Sequence, residues 1–198
     1  MQLARAKELG TVLMLLLSES GTVEQIQLAG SIRRCQPFVK DIEIVVQPFP
    51  DAGSPGLAFS RWIEGAVDDP DTPLAKDGVT KRWGEKYKRL RWRGEAVDLF
   101  VVTPPAQWGA ILALRTGPAD FSRALVTGRK WGGAMPSGLK QELGRLVAWG
   151  QGEERPIETP TEQEYFHALD LPWIKPEERT VPRLIHILSA KGHGEGQA

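Results

Sequence analysis

The spacing of apolar residues predicts mainly strands before residue 105 and mainly helices after it. Alternating apolar positions indicate strands at 23–28, 41–47, 87–92 and 95–102, the last two joined by a turn at Arg93-Gly94. Helices are predicted at 2–18 and 57–67, and the Pro- and Gly-rich stretches 49–57 and 68–78 are predicted loops. The pattern predicts an α+β fold with a mixed sheet in its first part.

Pro104-Pro105 marks the expected domain boundary. Beyond it the apolar spacing and the capping residues predict helices at 106–114, 118–127, 139–148 and 162–169, followed by a frayed tail at 193–198. We therefore expect two domains, 1–105 and 106–198, of which the second is smaller and mainly helical.

Composition narrows the class of protein. The chain has 198 residues with 25 basic and 25 acidic side chains, so its overall charge does not indicate nucleic-acid binding. Cys35 is the only cysteine, which excludes an intrachain disulfide, and the three histidines have no zinc-binding spacing. The apolar run 12–17 is far shorter than the roughly 20 residues of a membrane span. It predicts a core helix in a cytoplasmic protein with no membrane partner.

Three acidic residues stand in or beside apolar strands. Asp41 and Glu43 lie two positions apart, so they share one face of the predicted strand. Two carboxylates on one face favour a divalent cation, and oxygen-only ligands suit Mg²⁺. Asp98 interrupts the apolar run 97–101. It is either an edge acid facing water or a metal ligand facing the other two acids, and we favour the second because burying an unpartnered charge is costly.

A Gly30-Ser31 turn follows the first predicted strand and is followed by Arg33-Arg34. Backbone N–H groups and a hydroxyl in such a turn can contact a phosphate, and arginine adds charge-assisted hydrogen bonds. The alternative is a solvated pair of loop arginines. Phosphate donors beside an acid pair predict chemistry on a nucleoside triphosphate.

These motifs, in this order, resemble the nucleotidyltransferase core of the DNA polymerase beta-like, or family X, polymerases. The resemblance continues through the acid-bearing segment 96–102, the Gln107-Trp108-Gly109-Ala110 and Thr116-Gly117 motifs, and the closing segments 161–166 and 169–177. It implies a mixed-sheet palm domain followed by a thumb-like, nucleotide-binding subdomain.

The resemblance also implies the site and the reaction. Asp41, Glu43 and Asp98 would be the catalytic acids that hold two Mg²⁺ ions, with Mn²⁺ able to substitute. The nucleotide would contact two groups of residues, Gly30, Ser31, Arg33 and Arg34 at the phosphates, and Arg115, Thr116, Gly117 and Ser122 near the sugar and base. The expected activity is addition of nucleotides from dNTP to the 3′-hydroxyl of a DNA primer on a template, in DNA repair, by a monomer.

Several residues depart from the family pattern. Leu114-Arg115 stands where two aromatic residues are usual before Thr116-Gly117, and Ser122 stands where asparagine is usual, which puts sugar selection in doubt. Glu43 replaces an aspartate, and other departures place Lys40 and Cys35 at glycine positions and Ala96 at an arginine position. No metal ligand is lost. The N-terminal DNA-gripping domain of the family is not matched, so we expect a minimal form.

A basic block with interleaved aromatic residues precedes the third acid. We expect it to bind nucleic acid through Lys81, Arg82, Lys86, Lys88 and Arg89. The alternative is an ordinary amphipathic hairpin with Trp83 and Trp92 packed in the core. Two other functions remain open: the same transfer chemistry with RNA, NTP, or a small-molecule or protein hydroxyl, and a non-enzymatic nucleic-acid-binding module.

Overall fold

A computed structural model describes residues 1–51, 54–78, 82–150 and 152–192. The chain divides into two compact units, Met1–Pro104 and Pro105–Ala198. The predicted tail at 193–198 lies outside the described residues. Within the described residues, every helix is too short or too polar to cross a membrane.

The first unit contains one mixed sheet and the helices that cover it. Its elements in chain order are α1 (Leu3–Glu19), β1 (Val23–Leu28), α2 (Gly30–Arg33), β2 (Ile42–Pro48), α3 (Leu57–Asp68), β3 (Leu74–Lys76), β4 (Tyr87–Trp92) and β5 (Glu95–Val101). The strand order is β1-β2-β5-β4-β3. Strands β2 and β5 are parallel, and the other neighbours are antiparallel. The predicted α+β class with a mixed sheet is confirmed.

One face of this sheet forms the core of the first unit. Alternate residues of the three central strands are buried there, including Ile44 of β2, Leu99 of β5 and Leu90 of β4. They pack with apolar residues of α1 and α3, such as Leu13 and Phe59. The intervening residues of the strands point to the opposite face, which is where the acidic residues lie.

The local predictions for the described residues of this unit hold except in one loop, while residues 52 and 53 of the predicted loop 49–57 lie outside the described residues. The hairpin turns at Arg93 and Gly94, both with positive φ, so that Arg89 pairs with Asp98. The stretch 68–78, predicted as a loop, contains β3, which pairs with β4 at the sheet edge. A three-residue strand has too few positions to show an alternating pattern, which is why the sequence did not reveal it.

The second unit combines helices with a small sheet. Its elements are α4 (Trp108–Thr116), α5 (Ala119–Val126), β6 (Leu139–Glu142), β7 (Arg145–Ala148), β8 (Arg155–Ile157), α6 (Glu162–Ala168) and α7 (Val181–Gly192), with short 3₁₀ helices at Arg129–Trp131 and Pro176–Glu178. Strands β6, β7 and β8 form an antiparallel sheet.

The predicted helix at 139–148 is wrong, because this segment is the β6–β7 hairpin. Leu139, Leu143, Leu146 and Val147 have helical spacing in the sequence. In the structure Leu143 and Gly144 adopt positive φ in the turn, and Leu143 is exposed there. The glycine in the middle of the run was the signal for a turn.

Two motif residues connect α4 to the chain just before α6. The side-chain oxygen of Gln107 accepts hydrogen bonds from the backbone N–H and the hydroxyl of Thr159, at 2.5 and 2.7 Å. A Cβ on Gly109 would lie 2.0 Å from the carbonyl oxygen of Thr161. Glycine at this position therefore allows close approach of the two segments.

A buried ion pair connects the start of α6 to the segment that follows the second 3₁₀ helix. The guanidinium of Arg179 donates to the carboxylate of Glu162 at 2.8 Å, and their side chains are 0% and 3% exposed. Trp173 donates its indole N–H to the same carboxylate, and Arg179 also lies over the ring of Phe166. The capping box of Thr161 and Glu164 begins α6 at this point.

We expect Cys35→Gly to stabilise the protein. Cys35 follows α2 with a φ of 55° and takes part in a Schellman motif, in which its N–H donates to Ile32 and that of Gln36 donates to Ser31. Glycine removes the strain of the left-handed conformation, but it also loses more chain entropy on folding than cysteine does. The free energy of unfolding, measured in urea, should therefore rise by roughly 0.5–1 kcal/mol. Cys35→Ala is the control because it removes the thiol and keeps the Cβ. An equal gain from alanine would contradict the explanation.

We expect Arg179→Met to destabilise the protein strongly. It would leave the Glu162 carboxylate buried without its cation, which costs about 3–5 kcal/mol. Arg5→Met is the comparison, because Arg5 pairs with Glu8 on an exposed helix surface and its loss should have little effect. Urea unfolding of both variants measures the difference. Similar losses in the two variants would show that burial does not decide the strength of the Arg179 pair.

Candidate active site

The sheet places the acidic residues on one face, opposite the core. Glu43 of β2 and Asp98 of β5 are paired residues of the parallel ladder, and Arg89 of β4 is paired with Asp98 on the other side. Glu43, Asp98 and Arg89 therefore form one row across three strands. Asp41 immediately precedes β2 and lies close enough for its carboxylate to approach Arg89.

Asp98 is held by two donors from β4. The hydroxyl of Tyr87 donates to Oδ1 of Asp98 at 2.6 Å, and Nη1 of Arg89 donates to the same oxygen at 2.5 Å. The ring of Tyr87 stacks on Phe100, with centroids 5.4 Å apart. Burial, followed by the hydrogen bond to Asp98, raises the pKa of Tyr87, so its hydroxyl keeps the proton that it donates.

The guanidinium of Arg89 also links Asp98 to Asp41. Its Nη1 lies 3.4 Å from Oδ2 of Asp41, and its side chain is only 16% exposed. Burial lowers the pKa of Arg89 and is the largest single effect. The hydrogen bond and charge of Asp98, with Tyr87 and Asp41, outweigh it and raise the pKa above its usual value. Arg89 thus remains charged between the two aspartates.

Glu43 lies against the start of α2. Gly30 has a φ of 54°, and a Cβ built on it would fall 1.5 Å from Oε2 of Glu43. The N–H of Ala29 donates to the backbone oxygen of Glu43 at 2.8 Å. Both the backbone conformation and the close approach therefore require glycine at position 30. The structure brings the Gly30-Ser31 turn beside an acidic residue, and Arg33 and Arg34 follow at the end of the same helical turn.

The chemistry of the acidic side chains suits a hard divalent cation. Among the described residues, no three His, Cys, Asp or Glu side chains surround a common point where a metal ion could sit. The guanidinium of Arg89 instead lies between Asp41 and Asp98. Carboxylate oxygens are the ligands that Mg²⁺ prefers. Asp41 and Asp98 thus already share one positive charge, and the fit to such a cation rests on the chemistry of their carboxylate oxygens.

The predicted basic surface needs correction. Lys88 is only 2% exposed, donates to the backbone oxygen of Gly84 and lies 5.0 Å from the ring centre of Trp83. Burial lowers the pKa of Lys88. Arg89 binds the two aspartates. Neither Lys88 nor Arg89 therefore belongs to the exposed basic surface that the sequence predicted. Trp92 is buried, as the alternative of an amphipathic hairpin required.

The remaining members of the basic block differ in their surroundings. Arg82 is exposed and lies 3.5 Å from the carboxylate of Asp77. Lys86 is exposed next to the start of β4. Lys81 lies outside the described residues. The part of the block that the structure describes therefore offers fewer exposed cations than the sequence suggested.

The other predicted nucleotide contacts lie in the second unit, around the junction of α4 and α5. Arg115 and Thr116 end α4, and Gly117 follows as its cap. The hydroxyl of Ser122 donates to the backbone oxygen of Leu114 at 2.7 Å, and Thr116 is buried. Ser122 therefore supports the turn through its side chain. The structure groups these four residues within their own unit.

Tyr87 is the residue that the sequence analysis missed, and Arg89 is the one it assigned to another surface. A signal was available in the hairpin. With Arg93-Gly94 at the turn, antiparallel pairing places Arg89 directly opposite Asp98, and Tyr87 shares its face two residues earlier.

Comparison with known families concerns the second unit. Residues 111–180 match the family model described as the DNA polymerase beta thumb. The matched segment begins within α4 and ends just after the buried Arg179, so it includes the β6–β7 hairpin and α6. This match supports a relationship to the polymerase beta-like, family X polymerases and points to a polymerase-like function that includes DNA binding.

Proposed function

We propose that the protein is a Mg²⁺-dependent DNA nucleotidyltransferase that adds nucleotides from dNTP to the 3′-hydroxyl of a DNA primer. The observation that supports it most is the row of Glu43, Asp98 and Arg89, with Asp41 beside it. Three acids on one face of a mixed sheet, next to a Gly-Ser turn, suit phosphoryl transfer. The thumb match in the second unit supports the same class of enzyme.

Asp41, Glu43 and Asp98 would hold the metal. When bound, Mg²⁺ would stabilise negative charge on the attacking and leaving oxygens of the phosphoryl group. The protein's own contribution is to fix the acids in place. Tyr87 and Arg89 hold Asp98 by two hydrogen bonds to one carboxylate oxygen, which limits rotation of that side chain.

The phosphates would be held next to the acids. Gly30 lies against Glu43, so the N–H groups and the Ser31 hydroxyl of this turn are within the same region of the first unit. Arg33 and Arg34 would supply charge-assisted hydrogen bonds. In the second unit, the family resemblance assigns Arg115, Thr116, Gly117 and Ser122 to nucleotide binding, with Leu114-Arg115 in place of the usual aromatic pair.

Primer extension tests this function. Labelled gapped, nicked, blunt and single-stranded DNA would be incubated with dNTP or NTP, with Mg²⁺, Mn²⁺ or EDTA. We expect extension that requires the metal and a free 3′-hydroxyl. An RNA arm with the same nucleotides identifies a different acceptor. No metal-dependent incorporation into any substrate would refute the proposal.

We expect Asp98→Asn to abolish transfer while the protein stays folded. Asparagine keeps the size of the side chain and can still accept from Tyr87, but it removes the negative charge from the row. Loss of an electrostatic group at the reacting centre should reduce kcat by about a hundred-fold or more. Glu95→Gln, in the same strand at the hairpin turn, is the control and should keep full activity. Activity of the Asp98 variant within a few-fold of wild type would rule out its role.

We expect Arg34→Ala to weaken nucleotide binding more than DNA binding. Loss of one charge-assisted hydrogen bond costs about 1.5–3 kcal/mol, or roughly ten- to a hundred-fold in the KM for dNTP. Arg91→Ala is the matched control because Arg91 contacts Asp77 and none of the three proposed catalytic acids. Nucleotide titrations at fixed primer give the KM, and fluorescence anisotropy of labelled DNA gives its affinity. An unchanged KM would place Arg34 outside the nucleotide site.

A further inference from the structure

Arg89 occupies the position where two carboxylates of the acid cluster come together. The cluster consists of Asp41, Glu43 and Asp98. One nitrogen of Arg89, Nη1, contacts Oδ1 of Asp98 at 2.5 Å and Oδ2 of Asp41 at 3.4 Å. The two aspartate side chains are 20% and 14% exposed. A single donor group therefore joins acids from two parts of the sheet.

A cation beside the two aspartates offsets the repulsion between their carboxylates. Carboxylates this close repel each other, and partial burial weakens the screening by water. The Arg89 guanidinium supplies the opposing charge from within the chain. Its register opposite Asp98 in the β4–β5 ladder places it there without any ligand.

A divalent cation at this point would use the same oxygens. Oδ1 of Asp98 already accepts from Tyr87 and from Arg89, and Oδ2 of Asp41 lies at the longer contact. The guanidinium is incompletely anchored: in the described part of the chain its buried Nε has no hydrogen-bond partner. The weaker contact, to Asp41, is therefore the one that a bound cation would replace first.

We propose that Arg89 is a substitute cation, which holds the acid cluster together without metal and competes with the metal for Asp41 and Asp98. It is a positioning residue, since it acts through the aspartates. The inference rests on the proposed function only in taking the acids as the metal ligands.

Direct metal binding tests this role. Mn²⁺ binding to the full chain would be followed by the electron paramagnetic resonance signal of free Mn²⁺, for wild type, Arg89→Gln and Arg89→Lys. We expect Arg89→Gln to bind Mn²⁺ about ten-fold more tightly, because one competing charged contact is gone. The Mn²⁺ affinity of Arg89→Lys should lie between those of wild type and Arg89→Gln. Arg91→Gln, on the same face of the same strand but bound to Asp77, should match wild type.

Thermal unfolding provides a second measurement that does not depend on activity. In EDTA the Tm of Arg89→Gln should fall by about 3 °C or more, and excess Mn²⁺ should restore it. Arg91→Gln should show no such metal dependence. The Asp98→Asn variant should bind Mn²⁺ more weakly than wild type, which locates the ion at the cluster.

The outcomes separate this inference from the proposed function. The inference is overturned if Arg89→Gln binds Mn²⁺ no more tightly than wild type, even if wild type extends primers. Failure of both proteins to bind Mn²⁺ also overturns it. Tighter Mn²⁺ binding by Arg89→Gln, combined with no nucleotide incorporation by wild type, supports the inference and refutes only the proposed function.

Discussion

The parallel pairing of β2 with β5 is the contact on which the first unit depends. It joins strands separated in the chain by α3, β3 and β4, and it places Glu43 directly opposite Asp98. The same register puts Ile44 and Leu99 side by side in the core. A shift by one residue would move the acids into the apolar core and the apolar residues out of it. Core packing and the alignment of the acids are therefore set by one constraint.

Charge balance is the second requirement of this face. Two aspartates with little exposure share the guanidinium of Arg89, and Tyr87 adds a neutral donor whose raised pKa keeps it protonated. Gly30 allows the Gly30-Ser31 turn to approach Glu43 because it has no side chain. The charged groups of the site thus lie close together, and their positions are set by backbone pairing or by the absence of a Cβ.

In the second unit, a few polar and close backbone contacts hold short elements together. Gln107 and Gly109 bring the start of α4 against the chain before α6. The buried pair of Glu162 and Arg179 connects the beginning of α6 to the segment after the second 3₁₀ helix. These contacts lie in or next to the part of the chain that matches the polymerase beta thumb. They explain why the motif residues there are polar or small although they lie at packed positions.

The sequence by itself determined the elements whose signal is local. Alternation identified β1, β2, β4 and β5, turn chemistry identified the β4–β5 hairpin, and the proline and glycine at its two ends identified α5. It failed at 139–148, where apolar residues with helical spacing form a hairpin, and at β3, which is too short to alternate. The partners of Asp98 and the burial of Lys88 were decided only by the tertiary structure. Whether a charged side chain faces solvent or a buried partner depends on its cross-strand neighbours and on the helices that cover the sheet. Those neighbours are distant in the chain, so a local pattern does not reveal them.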